Sequence, residues 1–261
     1  MQYIIGDIHG CFETLSNLIA RIKASDTNPS FVFIGDYVDR GLRSKEVIEF
    51  LLNLEKQHSC VFLRGNHDDV VNWIIYEEAN TPPSEWVAGP PTLSKVVDWW
   101  CYNGFITTLE SYGVELKDGD LFDIIGLKFR EQIPEEHKEF FSRCKMFWEN
   151  ETHFACHAFL PPTMELPRSL KFLRTENYYD MLWGRFKSVN NTLDTSIKIN
   201  WDKIGVFGHT PVQCYGAETA IKYDKLRLID TGVCFGNYLT AYIVELDDFI
   251  LESTVSSDIR G

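Results

Sequence analysis

Short, uninterrupted apolar runs alternate with helical periodicity through the first seventy residues. Tyr3-Ile4-Ile5 stops at Gly6, Phe31-Val32-Phe33-Ile34 at Gly35, and Cys60-Val61-Phe62-Leu63 near Gly65. Each is too short for a helix and apolar throughout, which predicts strands buried on both faces. Between them, residues 12–24 carry Leu15, Leu18, Ile19 and Ile22 at helical spacing, and residues 44–57 carry Val47, Ile48, Leu51 and Leu52. Strand, helix, strand, helix, strand predicts βαβ units with parallel pairing.

The pattern then changes. Residues 77–93 hold Pro82-Pro83, Gly89 and Pro90-Pro91 and read as a loop or lid. Residues 96–100, 105–112 and 134–147 read as helices, 152–156 as a strand ending at His157, and 161–169 as loop. The last third predicts strands at 204–207, 226–229, 239–246 and 250–254, with tight links that suggest antiparallel pairing. No linker divides the chain, so one domain over 1–261 is expected, with a helical and loop insertion at about 72–150.

Composition narrows the class without naming a function. Of 261 residues, 44% are hydrophobic and 24% charged, which excludes a disordered chain, a collagen-like repeat and a coiled coil. The net charge of −13 repels a nucleic-acid backbone and an anionic membrane, though local arginines or a metal can still receive an anionic substrate. Seven cysteines, an odd number with no CxxC pair, predict reduced and mostly buried thiols. There is no basic, apolar leader and no run of about 20 apolar residues, so a cytoplasmic protein is expected.

Chemistry sits just past the predicted strands. Gly6-Asp7-Ile8-His9-Gly10 follows the first, Gly35-Asp36-Tyr37-Val38-Asp39-Arg40-Gly41 the second, and Gly65-Asn66-His67-Asp68 the third. His157 and Gly208-His209-Thr210 end two later strands. Ligands of α/β sheets gather at the carboxyl ends of strands. Asp, Asn and His together suit Mn²⁺, Fe or Zn²⁺, and six donors favour two ions over one. Asp36 is the natural bridging carboxylate. Singly, each segment reads equally well as a turn, a capped helix start or a buried histidine. Five together, with 24 residues between the first two motifs and 23 between the second and third, are not a chance pattern.

These motifs resemble those of the phosphoprotein phosphatase family of calcineurin-like metallophosphoesterases: GDxHG, then GDxxDRG, then GNH and an acidic residue. The likeness continues at His157-Ala158, at Leu182-Trp183-Gly184-Arg185, at Gly208-His209-Thr210 and at Ile229-Asp230-Thr231-Gly232. Residues 103–113 resemble the bacterial and phage lambda-type serine/threonine protein phosphatases. The resemblance implies an α/β metallophosphoesterase fold, a mixed β-sandwich flanked by helices. It implies that Asp7 and His9 bind one metal, Asp36 bridges both, and Asn66, His157 and His209 hold the second. Arg40 and Arg185, with Asn66, would bind phosphate. His67, oriented by Asp39, would protonate the leaving group. Asp68 in place of the usual Glu, and Phe159 in place of Gly, depart from the pattern without removing a ligand.

The expected cofactors are two divalent ions, Mn²⁺ first, with Fe, Zn²⁺ or Mg²⁺ as alternatives. A metal-bridging hydroxide would attack phosphorus directly. The expected enzyme hydrolyses phosphoserine and phosphothreonine, with phosphotyrosine also open; the alternative is a symmetrical diadenosine tetraphosphate hydrolase. The expected partner is a phosphoprotein or small phosphoester, with no membrane, no nucleic acid, and a monomeric state. Asp230 could orient a ligand histidine or merely end a strand. Trp86, Trp99 and Trp100 read as core rather than as a substrate groove, and Cys60 as core rather than as a nucleophile.

Overall fold

The three apolar runs at the front of the chain are neighbouring parallel strands of one sheet. The computed structural model describes residues 1–77, 88, 90–166 and 177–260. In chain order, β1 (Gln2–Ile5), α1 (Phe12–Ser25), β2 (Ser30–Phe33), α2 (Ser44–Glu55), β3 (Cys60–Phe62) and α3 (Asn66–Tyr76) build the front. The insertion supplies α4 (Leu93–Trp100), a π-turn at Cys101–Phe105, α5 (Ile106–Ser111), α6 (Phe122–Gln132) and α7 (Glu135–Arg143). Then come β4 (Phe147–Glu149), β5 (His153–Cys156), α8 (Tyr178–Trp183), the hairpin β6 (Ser188–Val189) and β7 (Thr192–Leu193), and β8 (Ile204–Phe207). The chain closes with β9 (Ile221–Tyr223), β10 (Leu226–Leu228), β11 (Tyr238–Ile243) and β12 (Asp248–Ser253).

Two mixed five-stranded sheets result, ordered β12-β11-β1-β2-β3 and β4-β5-β8-β10-β9. Side-chain alternation explains the continuous apolar runs. Ile4 and Val32 point between the sheets and meet Ala155, Val206, Ile229 and Tyr242. Tyr3, Ile5, Phe31 and Phe33 point the other way, onto Leu15, Leu18, Val47, Ile48 and Leu51 of α1 and α2. The second sheet turns Phe154, Phe207, Leu226 and Leu228 outward, onto Trp201 and Phe186. Both faces of each central strand are covered, so its few polar positions, such as Arg227 on β10 and Thr240 on β11, are buried and hydrogen-bonded. Each buried Ile or Val here is worth roughly 2 kcal/mol over exposure.

Parallel pairing of β1 with β2 and of β2 with β3 agrees with the βαβ reading. The last third departs from it. β10 runs parallel to β8, because β9 intervenes and makes the tight antiparallel hairpin with β10. Only β11 and β12 form the expected antiparallel pair of the tail, and β11 also flanks β1 antiparallel. The helix expected over 134–147 ends at Arg143, because Phe147–Glu149 is drawn into an edge ladder with β5. The helix α6 was not visible in the periodicity. Of the loop expected over 77–93, residues 78–87 and 89 lie outside the described residues, as does Trp86. Among the described residues, no helix is long and apolar enough to cross a membrane.

Candidate metal centre

The loops after β1, β2, β3, β5 and β8 converge at one end of the two sheets, and their backbones are held in costly shapes. His9, Asp36, Asp39, Arg40 and His209 all have positive φ, between 46° and 71°. Such conformations cost about 1–3 kcal/mol each in non-glycine residues and persist where the surroundings over-determine them. The neighbouring glycines are there for space. A Cβ on Gly65 would stand 2.1 Å from Asp36 Oδ1, and one on Gly208 would stand 2.0 Å from Asp7 Oδ1.

Asp36 lies at the middle. Its Oδ2 is 3.5 Å from His9 Nε2 and 3.9 Å from His67 Nε2; its Oδ1 is 3.4 Å from His157 Nε2. Two groups of donor atoms that could hold a metal therefore share this carboxylate: His9, Asp36 and His67, and Asp36, His157 and His209. Asn66 Oδ1 joins the second group, 3.0 Å from His157 Nε2 and 2.9 Å from His209 Nδ1. Asp7 is tied in from the side, its Oδ2 accepting from the His209 backbone N–H at 2.9 Å.

Backbone carbonyls orient the imidazoles. Nδ1 of His9 is 2.9 Å from Val38 O and Nδ1 of His157 is 2.9 Å from Ile34 O, which turns both Nε2 atoms toward the carboxylate. Asp230 has no such part. Its Oδ1 accepts from Gly232 N–H in its own turn at 3.0 Å, so of its two sequence readings the strand-end turn is the one observed.

Electrostatics describe a centre of crowded, buried carboxylates. Burial, then the nearby charges of Asp230 and Asp36, push the Asp7 carboxyl well above its usual range. Burial and Asp36 raise Asp68 to about 7, and burial raises Asp230 to about 6. Burial also opposes a charge on Asp36, yet His157, His67 and His9 keep it well below the usual range. The same pairing lifts His157 to about 9 against its own burial. Burial lowers His9 and His209, helped by Arg40 and by His157 respectively, so both stay neutral with a lone pair to offer. Among the described residues, Asp7 Oδ1 and His209 Nε2 are buried without a hydrogen-bond partner. Crowded carboxylates, neutral imidazoles and two unspent buried acceptors fit divalent cations.

Two further residues frame the centre. Arg40 lies against the first group, Nη1 2.7 Å from His9 Nε2 and Nη2 3.0 Å from His67 Nε2. Arg185 reaches in from the end of α8 and donates to Thr210 Oγ1 at 2.9 Å, beside His209. Asp39 accepts at 2.7 Å from His67 Nδ1. Its carboxylate is saturated by two residues that the sequence did not single out for this purpose. The Trp100 indole N–H donates to Oδ2 at 2.7 Å and the Thr108 hydroxyl to Oδ1 at 2.6 Å. Trp100 is core, as its composition suggests, but its one polar atom serves the site.

Asp68 has a definite place. Its Oδ2 accepts from the Asp36 and Gly65 backbone N–H groups, and its Oδ1 from that of Tyr37. It thereby clamps the β2 loop to the start of α3. Phe159 packs its ring 4.8 Å from that of Phe186, and its side chain fills the space against Gly184.

Comparisons with known proteins agree on the family and divide on the substrate. Over 259 residues, 95% of this chain and 90% of the relative, it is 25% identical to a bis(5'-nucleosyl)-tetraphosphatase PrpE, asymmetrical, of Oceanobacillus iheyensis. It is 24% identical to a symmetrical bis(5'-nucleosyl)-tetraphosphatase of Shewanella loihica, over 96% of this chain and 97% of the relative. Among solved structures, a candidate diadenosine tetraphosphatase superposes with a TM-score of 0.59 at 16% identity, over 98% of this chain and 94% of that one. A serine/threonine phosphatase from Saccharomyces cerevisiae superposes with a TM-score of 0.52 at 14% identity, over 99% and 81%. The resemblance to protein phosphatases thus narrows to the wider family, because the relatives matched along nearly the whole chain carry nucleotide names. The model of the calcineurin-like phosphoesterases matches residues 3–213, and this chain belongs to that family of metallophosphoesterases.

Proposed function

We propose that this protein hydrolyses a phosphoric anhydride bond of a dinucleoside polyphosphate, with diadenosine tetraphosphate as the defining substrate and two divalent cations, Mn²⁺ first, as cofactors. The hydrolytic part rests on one observation: the Asp36 carboxylate lies between two sets of imidazole nitrogens, with unspent acceptors on Asp7 and His209 beside them. The substrate class is supported by the two relatives matched over almost their full length.

In this reading Asp7, His9 and Asp36 hold one cation, and Asp36, Asn66, His157 and His209 hold the other. Two such cations supply a Lewis acid and a water acidic enough to ionise near neutral pH. The protein's own groups do the rest. Arg40 and Arg185 present guanidinium forks to phosphoryl oxygens from two sides, matching the charge that spreads there in the transition state. Asp39 fixes His67 through Nδ1, leaving Nε2 toward the centre to hand a proton to the departing oxygen.

The segments that tilt the sequence reading toward phosphoserine and phosphothreonine do not separate the two substrates. Thr108 serves Asp39, and the Gly104 carbonyl accepts from the Arg40 N–H at 3.1 Å. Both support Asp39 and Arg40, machinery that any phosphoester needs. The deciding experiment follows metal-stripped protein reloaded with Mn²⁺ on diadenosine tetraphosphate and on a phosphothreonine peptide. The dinucleotide is expected to win in kcat/KM. Two ADP per turnover would mark symmetrical cleavage, and AMP with ATP asymmetrical cleavage. A higher kcat/KM on the peptide would overturn the proposal and return the site to protein phosphatase chemistry.

A further inference from the structure

Beside Arg40 stands an aromatic ring that is largely exposed. Phe235 is 60% exposed, yet the Arg40 guanidinium carbon lies 5.6 Å from its ring centroid. Isolated exposed apolar side chains are ordinary on protein surfaces. This one differs because the backbone beneath it is pinned. It ends a short 3₁₀ turn, Val233–Phe235, closed on either side by Gly232 and Gly236 at φ of 72° and 85°. The Phe235 N–H donates to Gly232 O at 3.0 Å, and the Thr254 hydroxyl donates to Val233 O at 2.8 Å. Thr231 Oγ1 bonds Tyr238 O at 2.6 Å and Thr240 Oγ1 at 2.8 Å, tying the turn to β11. Val233 lies in the core and Cys234 packs against it half-buried, so the turn spends its other two side chains inward and leaves the ring at the rim.

We propose that Phe235 is the stacking platform for a nucleobase of the substrate and so sets selectivity for nucleotides over bare phosphoesters. The inference rests on the nucleotide reading above. A phosphate held by Arg40 places the attached nucleoside at the rim, where the ring already stands with most of its surface in water. Stacking on a rigid aromatic is tolerant of base identity, because every base has a π-face. The guanidinium against the ring enriches the same stack. A turn locked beforehand adds little ordering cost on binding.

The test uses the full-length, Mn²⁺-loaded enzyme and Phe235→Ala, Phe235→Leu and Phe235→Trp. Two readouts are taken: the ratio of kcat/KM for diadenosine tetraphosphate to that for inorganic tripolyphosphate, and the Kd for AMP by titration calorimetry. Phe235→Ala is expected to lower the ratio about tenfold and weaken AMP about tenfold, as loss of one base stack would. Phe235→Leu should resemble the alanine variant although it keeps the bulk, and Phe235→Trp should match or exceed the wild type. Equal losses on both substrates, or a leucine variant as selective as the wild type, would overturn the stacking role. The two proposals fail separately. Dinucleotide hydrolysis with no dependence on Phe235 removes this inference alone. AMP binding that depends on Phe235 without dinucleotide hydrolysis removes the catalytic reading alone. Absence of both AMP binding and dinucleotide hydrolysis removes both.

Discussion

His67→Asn separates two roles that the geometry offers to one imidazole. His67 Nε2 belongs to a donor group with His9 and Asp36, so it could bind a cation. Its Nδ1 is held at 2.7 Å by an Asp39 carboxylate already saturated by Trp100 and Thr108, the arrangement of a positioned general acid. The size of the effect follows from the leaving group. General acid catalysis is worth about 10²–10⁴ in rate, or roughly 3–5 kcal/mol at 1.36 kcal/mol per decade. All of that is needed when a seryl or threonyl alkoxide departs. Little is needed when a nucleotide phosphate departs, since its second ionisation lies near pH 6 and the dianion is stable in neutral water. His67→Asn should therefore cut kcat on a phosphothreonine peptide by at least 10², but cut diadenosine tetraphosphate and p-nitrophenyl phosphate turnover by less than tenfold. Steady-state kinetics on all three substrates, with metal content measured on the same samples, decide the matter. Equal losses across the three would refute the general acid. Loss of one metal equivalent would make His67 a ligand.

The remaining expectations concern metals, phosphate and pH. Asp36→Asn should abolish Mn²⁺-dependent turnover and lower content at both positions, read by elemental analysis; retention of two ions would remove Asp36 from the bridge. Chelation should lower Tm, because Asp7, Asp36, Asp68 and Asp230 then crowd without a cation, and Mn²⁺ should restore it by adding RT ln(1 + [Mn²⁺]/Kd) of unfolding free energy. A Tm indifferent to metal would contradict the electrostatic account. Arg185→Ala should raise KM and lower kcat together, about tenfold or more in kcat/KM, with no change meaning that the guanidinium does not face phosphate. His137 tests the fold instead. It is buried beside Tyr112, whose hydroxyl is 2.8 Å from Nδ1, and burial lowers it to about 4. The unfolded chain takes up this proton near pH 6.5 and the folded one only near 4, so stability is full above 6.5 and falls as pH drops between the two. The upper bound is about 3 kcal/mol. Chemical denaturation at pH 7 and pH 4.5 should show a smaller drop for His137→Gln than for the wild type, and equal drops would refute the assignment.

Much of the centre was legible because its chemistry is local. Asp7, Asp36 and Asn66 each follow a three- or four-residue apolar run, too short for a helix, that reads as a strand of the front sheet. Its carboxyl end then fixes where the next polar side chain must lie. The support of Asp39 was not legible. Trp100 and Thr108 lie 61 and 69 residues away in an insertion, and only tertiary packing brings an indole N–H and a hydroxyl to one carboxylate. The same limit explains β4: residues 144–149 carry no strand periodicity of their own, and their partner in β5 decides their state. Tight spacing of the last strands likewise could not reveal that β10 pairs with β8 rather than with the strand that follows it.

Substrate identity is the least local property of all, and the geometry gives a physical reason. In the proposed reading the donor groups around Asp36, the two arginines and their supports act on a phosphoryl centre alone. The leaving group and its attachments meet the rim, where Phe235 stands free at one side and Tyr179 stacks on Trp183 at another, the Trp183 ring 6.2 Å from that of His209. Rim residues bear little of the folding energy, so the same centre can carry a protein-binding edge or a base-binding edge at small cost in stability. Motifs at strand ends therefore bear on the reaction, whereas the proposed base platform bears on the substrate. Phe235, pinned yet solvent-facing, is for that reason a more informative residue about substrate choice than any of the six proposed metal ligands.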